Sequence, residues 1–217
     1  MKPDKEKIEE IKQLYSEIKE KISERLSEFS RIYQHGDKKD IFKELSFCIL
    51  SSGVGPVIAK KSVEALDEIL LTGNETEMSK KLEGIHLYPE KAGYIYTTRE
   101  YLASEFDLEL KKQLSAITEL NERRDFLAKN KNIKGIGYLQ ASHFLRNIGF
   151  RGYAILDKNI LRSLYDLSVI ADTKPPNSRK RYIEKEENLR EFAKITGIDI
   201  DHMDLLLWYR MRGSIPR

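Results

Sequence analysis

From Lys134 to Asn147 the chain reads KGIGYLQASHFLRN, and shortly downstream it reads AILDKN with Asp157 at the centre. Gly135 and Gly137 flank one apolar residue. Glycine there permits a tight reversal between two helices and lets a ligand approach the backbone. Residues 137–139 would then offer amide groups at a helix start, where no helical carbonyl is available to them. Such amides attract phosphate oxygens, directly or through a bound cation, without reading sequence. A fixed carboxylate such as Asp157 can stabilise a developing cation or activate a nucleophile. Both features have plainer readings: a GxG is often only a turn, and the aspartate of ILDKNIL would serve as a helix N-cap.

Helices must position these groups, because nearly every periodic stretch of the sequence has helical spacing. Ile8, Ile11, Tyr15, Ile18, Ile22 and Phe29 fall three or four apart, which predicts a long helix over about 3–33 that ends near Gly36. Residues 40–51 begin with Asp40 as the expected N-cap, and 55–71 begin with Gly-Pro, where Pro56 suits a first helical turn. Further helices are predicted at 76–83, 89–104, 108–116 and 119–130. After the glycines they continue at 138–147, 157–168, 178–196 and 200–211, with stops at Gly149 and Gly197. VIADTKPPN (169–177) carries two prolines and cannot continue a helix. No strand and no fixed-period repeat is evident, so an all-α fold that is not a solenoid is expected.

Composition narrows the setting. The chain has 217 residues, 40% hydrophobic and 34% charged, enough for one compact domain or two small lobes. Its net charge is only +3, but KK (111–112) and SRKRY (178–182) allow local basic surface. One cysteine, Cys48 in LSFCILSS, excludes an internal disulfide and reads as a small buried hydrophobe. No run approaches the ~18 apolar residues of a membrane span, and MKPDKEKIEE has no signal-peptide core. A cytoplasmic protein is expected. Abundant Lys and Glu with scarce Gln suggest a heat-adapted host. Four dispersed histidines and one cysteine give no metal-ligand set, which excludes an iron–sulfur cluster.

KGIGYLQASHFLRNIGFRGYAILDKNIL resembles the helix-hairpin-helix and Gly/Pro-Asp segment of base-excision DNA glycosylases, specifically the archaeal type of 8-oxoguanine DNA glycosylase/AP lyase. The resemblance covers most of the chain. FKELSFCILSS (42–52) is similar to the family's early core helix, YPEKAGYI (88–95) to its next segment, and LLLWYRMRGSIPR (205–217) to its carboxyl end. It implies two helical lobes, about 39–118 and about 119–170, with a DNA- and base-binding cleft between them. Residues 1–38 and 171–217 would pack around these lobes, and the hairpin would span 133–147. Lys134, Gly135, Gly137, Tyr138 and Gln140 would hold the DNA backbone, and Asp157 would be the active-site carboxylate. Trp208, followed by Tyr209, would stack on the extruded base, and the chain terminus at Arg217 would close the pocket against its polar edge. Stacking and edge hydrogen bonds must offset the few kcal/mol that extrusion costs.

One departure bears on mechanism. Family members that also cut the strand carry a lysine two residues after the second glycine, whose amine attacks C1′ to form a Schiff base. Their string typically reads GIG(W/Y)KEASHFLRN, whereas here the lysine position holds Leu139, followed by Gln140. SSGVGPVIAKKS (51–62) also replaces a stretch that contacts the opposite strand, and Leu87 stands where an aromatic often helps sandwich the base. Three readings follow: a monofunctional glycosylase using Asp157 and water; a glycosylase/lyase with a substitute amine from Lys158, Lys129, Lys131 or Lys134; or a non-catalytic protein that binds damaged DNA. An engineered inactive form of the bifunctional enzyme is a further alternative. The expected partner is duplex DNA with a damaged purine, bound by a monomer. No cofactor is expected beyond a structural monovalent cation that the hairpin carbonyls could hold.

Overall fold

The long amphipathic stripe forms helix α1 (Lys5–His35), with Ile11, Ile18, Ile22, Leu26 and Phe29 buried along one face. The structure is a computed structural model that describes residues 4–215. Within them the chain is all helical: α2 (Lys38–Ser51), α3 (Pro56–Leu66), α4 (Glu75–Leu82), α5 (Lys91–Phe106), α6 (Leu110–Ala116), α7 (Leu120–Ala128), α8 (Tyr138–Asn147), α9 (Lys158–Asp166), α10 (Arg179–Thr196) and α11 (Ile200–Arg212). No strand occurs among the described residues.

The chain divides into two compact units. One is continuous, Arg31–Gly149. The other is split, joining residues up to Ser30 with those from Phe150 onward. Within the continuous unit α7 packs on α8, and α8 on α2.

At the centre of the continuous unit lies α2, which buries Ile41, Phe42, Leu45, Phe47, Cys48, Ile49 and Leu50 and is therefore apolar on nearly every side. It packs against α3, α5, α6 and α8. Its start differs from the sequence expectation. Asp37 is the N-cap, accepting from the Asp40 amide at 2.9 Å while Asp40 accepts back from the Asp37 amide at 3.2 Å. Asp40 is thus the third residue of a reciprocal capping box. Helix α3 also stops five residues earlier than predicted, at Leu66, in a run of turns through Thr72. In the split unit α11 packs on α9 and α10. Tyr15 of α1 bonds His202 of α11 at 3.0 Å, and Arg210 of α11 donates to Glu10 of α1 at 2.8 Å.

Candidate functional site

The glycine turn joins α7 to α8 within the continuous unit. Gly135 has φ +73°, a left-handed conformation that side chains disfavour. A Cβ there would meet the Tyr94 ring at 3.0 Å and Ile49 Cγ2 at 3.3 Å, so the turn rests directly on α5 and α2. Its entry is fixed by the Lys134 amide, which donates to Thr98 Oγ1 at 2.9 Å. Gly137 is different. It is the α8 N-cap with φ −99°, and a Cβ there would meet only Gln140 Oε1 at 3.6 Å. No side chain caps the start of α8.

Lys134, Gly135 and Gly137 are exposed, while Tyr138, Leu139 and Gln140 are half-buried on the first turn. The rest of α8 is anchored: Ala141, Phe144 and Leu145 are buried, and the His143 ring stands edge-on to Phe47 at 5.9 Å between centroids. At its end Asn147 donates to Glu44 of α2 at 2.7 Å and accepts from Arg146 at 3.0 Å, all three side chains being buried.

Lys91 caps the carboxyl end of α2. Its amine donates to the Ile49 carbonyl at 3.1 Å and to the Ser52 carbonyl. Burial lowers its pKa below the ordinary lysine value, against a smaller raising effect of Glu90. His86 braces the same helix end, with Nε2 bonded to the Leu50 carbonyl at 2.9 Å and Nδ1 accepting from the Tyr88 amide at 3.0 Å. A ring protonated on Nε2 satisfies both contacts.

Asp157 lies in the split unit as the N-cap of α9. Its Oδ1 accepts from the Asn159 and Ile160 amides at 2.8 and 2.9 Å, and Oδ2 from the Asn159 side chain at 3.3 Å. The capping reading of ILDKNIL and a chemical role are therefore compatible, because a carboxylate held by two amides has one fixed orientation. Trp208 is half-buried on α11, after the buried run Leu205, Leu206 and Leu207. Arg210 on the same helix donates to Ser163 of α9 at 3.4 Å. Arg217 lies outside the described residues.

The structure thus groups the predicted hairpin residues on one turn of the continuous unit and places Asp157 and Trp208 in the split unit. Of the candidate amines, Lys129 is paired with Asp125 at 2.7 Å; it, Lys131, Lys134 and Lys158 are all exposed. Leu139 offers no nucleophile. Among the described residues no group of three or more His, Cys, Asp or Glu side chains could hold a metal ion, and no helix is long and apolar enough to cross a membrane. Sequence reasoning missed Tyr94 and Thr98 as supports of the turn and Lys91 as a cap of α2. Nothing local marks them, since each acts on a residue about 40 positions away in the chain.

Residues 22–198 match the family model described as 8-oxoguanine DNA glycosylase. The chain is similar to an 8-oxoguanine DNA glycosylase/AP lyase of Fusobacterium nucleatum, 37% identical over 97% of each chain. It is also similar to one of Methanocaldococcus jannaschii, 35% identical over 96% of this chain and 97% of the other. The crystal structure of the Methanocaldococcus jannaschii 8-oxoguanine glycosylase/lyase in complex with a 15mer DNA containing 8-oxoguanine superposes with a TM-score of 0.86 at 32% identity, covering 97% of this chain and 99% of that one. An uncapped glycine turn, an amide-held aspartate and these likenesses along the whole chain agree: this protein belongs to the 8-oxoguanine DNA glycosylase family.

Proposed function

We propose that the protein is a base-excision glycosylase that releases 8-oxoguanine from duplex DNA by hydrolysis and leaves the strand uncut. The observation that carries this reading is Asp157, oriented by two backbone amides and by Asn159. Cleavage of the glycosidic bond transfers its electrons to the departing base and leaves a sugar with oxocarbenium character. A fixed carboxylate stabilises that charge and orients the water that adds at C1′. The uncapped start of α8 serves the phosphate backbone, with Lys134 as a point charge beside it. Trp208 stacks on the extruded base. One extruded nucleotide needs one pocket, so the reading requires only a monomer, which light scattering checks.

Leu139 supports hydrolysis over lyase chemistry, because it removes the amine from the position where the family's Schiff base forms. The exposed lysines around the turn are suited to holding phosphates. Incubation with duplexes carrying 8-oxoguanine or an abasic site, with borohydride present, tests the reading. Base release without strand cutting or covalent trapping is expected. Trapping would show that another lysine has taken over the lyase step, and no base release from any lesion duplex would leave only a binding function.

A further inference from the structure

The segment leading into Asp157 has no regular structure from residue 151 to 156, yet side chains from α10 and α11 take up its backbone groups one after another. The Gly152 amide donates to Asp201 Oδ1 at 2.8 Å, the Ala154 amide to Glu186 Oε1 at 3.0 Å, and the Ile155 amide to Asp204 Oδ1 at 2.9 Å. Tyr182 Oη donates to the Ala154 carbonyl at 2.7 Å and accepts from the Leu156 amide at 3.4 Å. Arg190 donates to the Gly152 carbonyl at 3.0 Å. The three carboxylates are 5%, 3% and 1% exposed for Asp201, Glu186 and Asp204.

Burying a carboxylate costs several kcal/mol unless hydrogen bonds and charges compensate it. Apolar packing could hold a loop without that cost, but it would not fix the direction of each peptide plane. Here the restraints end at Leu156, the residue before Asp157. The Asp157 amide itself bonds the Ile155 carbonyl at 2.7 Å, so the last restrained peptide is tied to the aspartate's own backbone.

We propose that Asp201, Glu186, Asp204 and Tyr182 are positioning residues for base release: through the backbone of residues 152–156 they set the place and rotation of Asp157. The inference rests on the glycosylase reading, because it assigns Asp157 the chemistry. It adds a set of residues, 25 to 47 positions downstream of Asp157, on which the rate of the chemical step depends although none touches the reacting atoms.

Single-turnover base release from an 8-oxoguanine duplex, with the dissociation constant of the same duplex, tests it in Asp204→Ala, Asp204→Asn and Tyr182→Phe. Misplacement of a reacting group by about 1 Å can cost 10²-fold, so Asp204→Ala should slow release about 10-fold or more with DNA affinity within about 2-fold. Asp204→Asn should recover most of that loss, because its amide oxygen still accepts from Ile155. Tyr182→Phe keeps the ring and loses only the hydroxyl bonds, with an expected slowing of about 3-fold. A rate in Asp204→Ala within about 2-fold of the parent overturns the proposal. If that variant does not fold, Tyr182→Phe decides, and an unchanged rate in it overturns the proposal. If the parent protein releases no base, the glycosylase reading has failed, and hydrogen exchange at the Asn159 and Ile160 amides then judges the positioning separately. Faster exchange in Tyr182→Phe supports the positioning, and unchanged exchange overturns it.

Discussion

Helix α8 begins at Gly137 with no side chain on its first amides, whereas α9 begins at Asp157, whose Oδ1 already takes two of them. The approaches differ in the same sense. A left-handed glycine resting on Tyr94 and Ile49 leads into α8, and a loop whose amides are bound by buried carboxylates leads into α9. One helix start has no side-chain cap, and the other is capped by a carboxylate of its own. The contrast shows how a single motif, the beginning of a helix, goes without a side-chain cap in one unit and holds a carboxylate on its amides in the other.

The largest test of this contrast is Asp157→Asn. Asparagine caps a helix about as well as aspartate, so folding stability should change by less than about 1 kcal/mol. Base release should nevertheless fall by ~100-fold or more, because the charge opposite the cationic sugar is gone. Equal activity in this variant, measured in single-turnover assays, would reduce Asp157 to a cap. Next in size is Leu139→Lys, which returns an amine to the first turn of α8. A borohydride-trapped complex that the parent does not form is expected, and its absence on an abasic duplex would show that the surroundings of position 139 no longer support the attack.

The two glycines sharpen the comparison further. Gly135→Ala forces a side chain into the left-handed region, against the Tyr94 ring, and should cost about 1–2 kcal/mol in urea unfolding along with weaker DNA binding at every sequence. Gly137→Ala has ordinary dihedrals and open space, so stability should stay within ~0.5 kcal/mol while a methyl obstructs the phosphate and binding alone declines.

The smallest effect concerns His202. Burial lowers its pKa below the ordinary histidine value, with lesser opposing help from Asp199 and further lowering by Arg151 and Lys19. The folded state therefore binds the proton less readily than the unfolded chain. The stability due to the neutral ring, which bonds Tyr15, is fully present above pH 6.5 and is lost as pH falls toward the folded-state value. Thermal melts of the parent against His202→Asn across this window should show the parent's extra loss on acidification, and parallel curves would remove His202 from the account.

Much of this was visible in the residues alone. The α1 stripe, the helical reading of every periodic segment, the glycine turn at the start of α8 and Asp157 at the start of α9 all rest on local spacing, and local spacing is what a sequence displays. The cap of α2 was misplaced by three residues because Asp37 and Asp40 are both competent caps; only the reciprocal bonds distinguish them. The supports of the site were not visible, since their partners are remote. Asp204 sits within HMDLLLWY, and a carboxylate in such an apolar run is a signal of burial, but nothing in the sequence names the Ile155 amide as its partner. The pairing of α1 with α11 was equally hidden, because its bonds join residues 187 and 200 positions apart.

That last pairing has a consequence for synthesis. Tyr15 and Glu10 meet partners 187 and 200 residues later in the chain. At 5–20 residues per second, roughly ten to forty seconds separate the emergence of α1 from that of the helix that completes its surroundings. Late in that interval the continuous unit has all of its residues and can fold, while Tyr15 and Glu10 still lack their partners on α11. The bonds that Asp201 and Asp204 make to the loop before Asp157 likewise form only once α11 has left the exit tunnel.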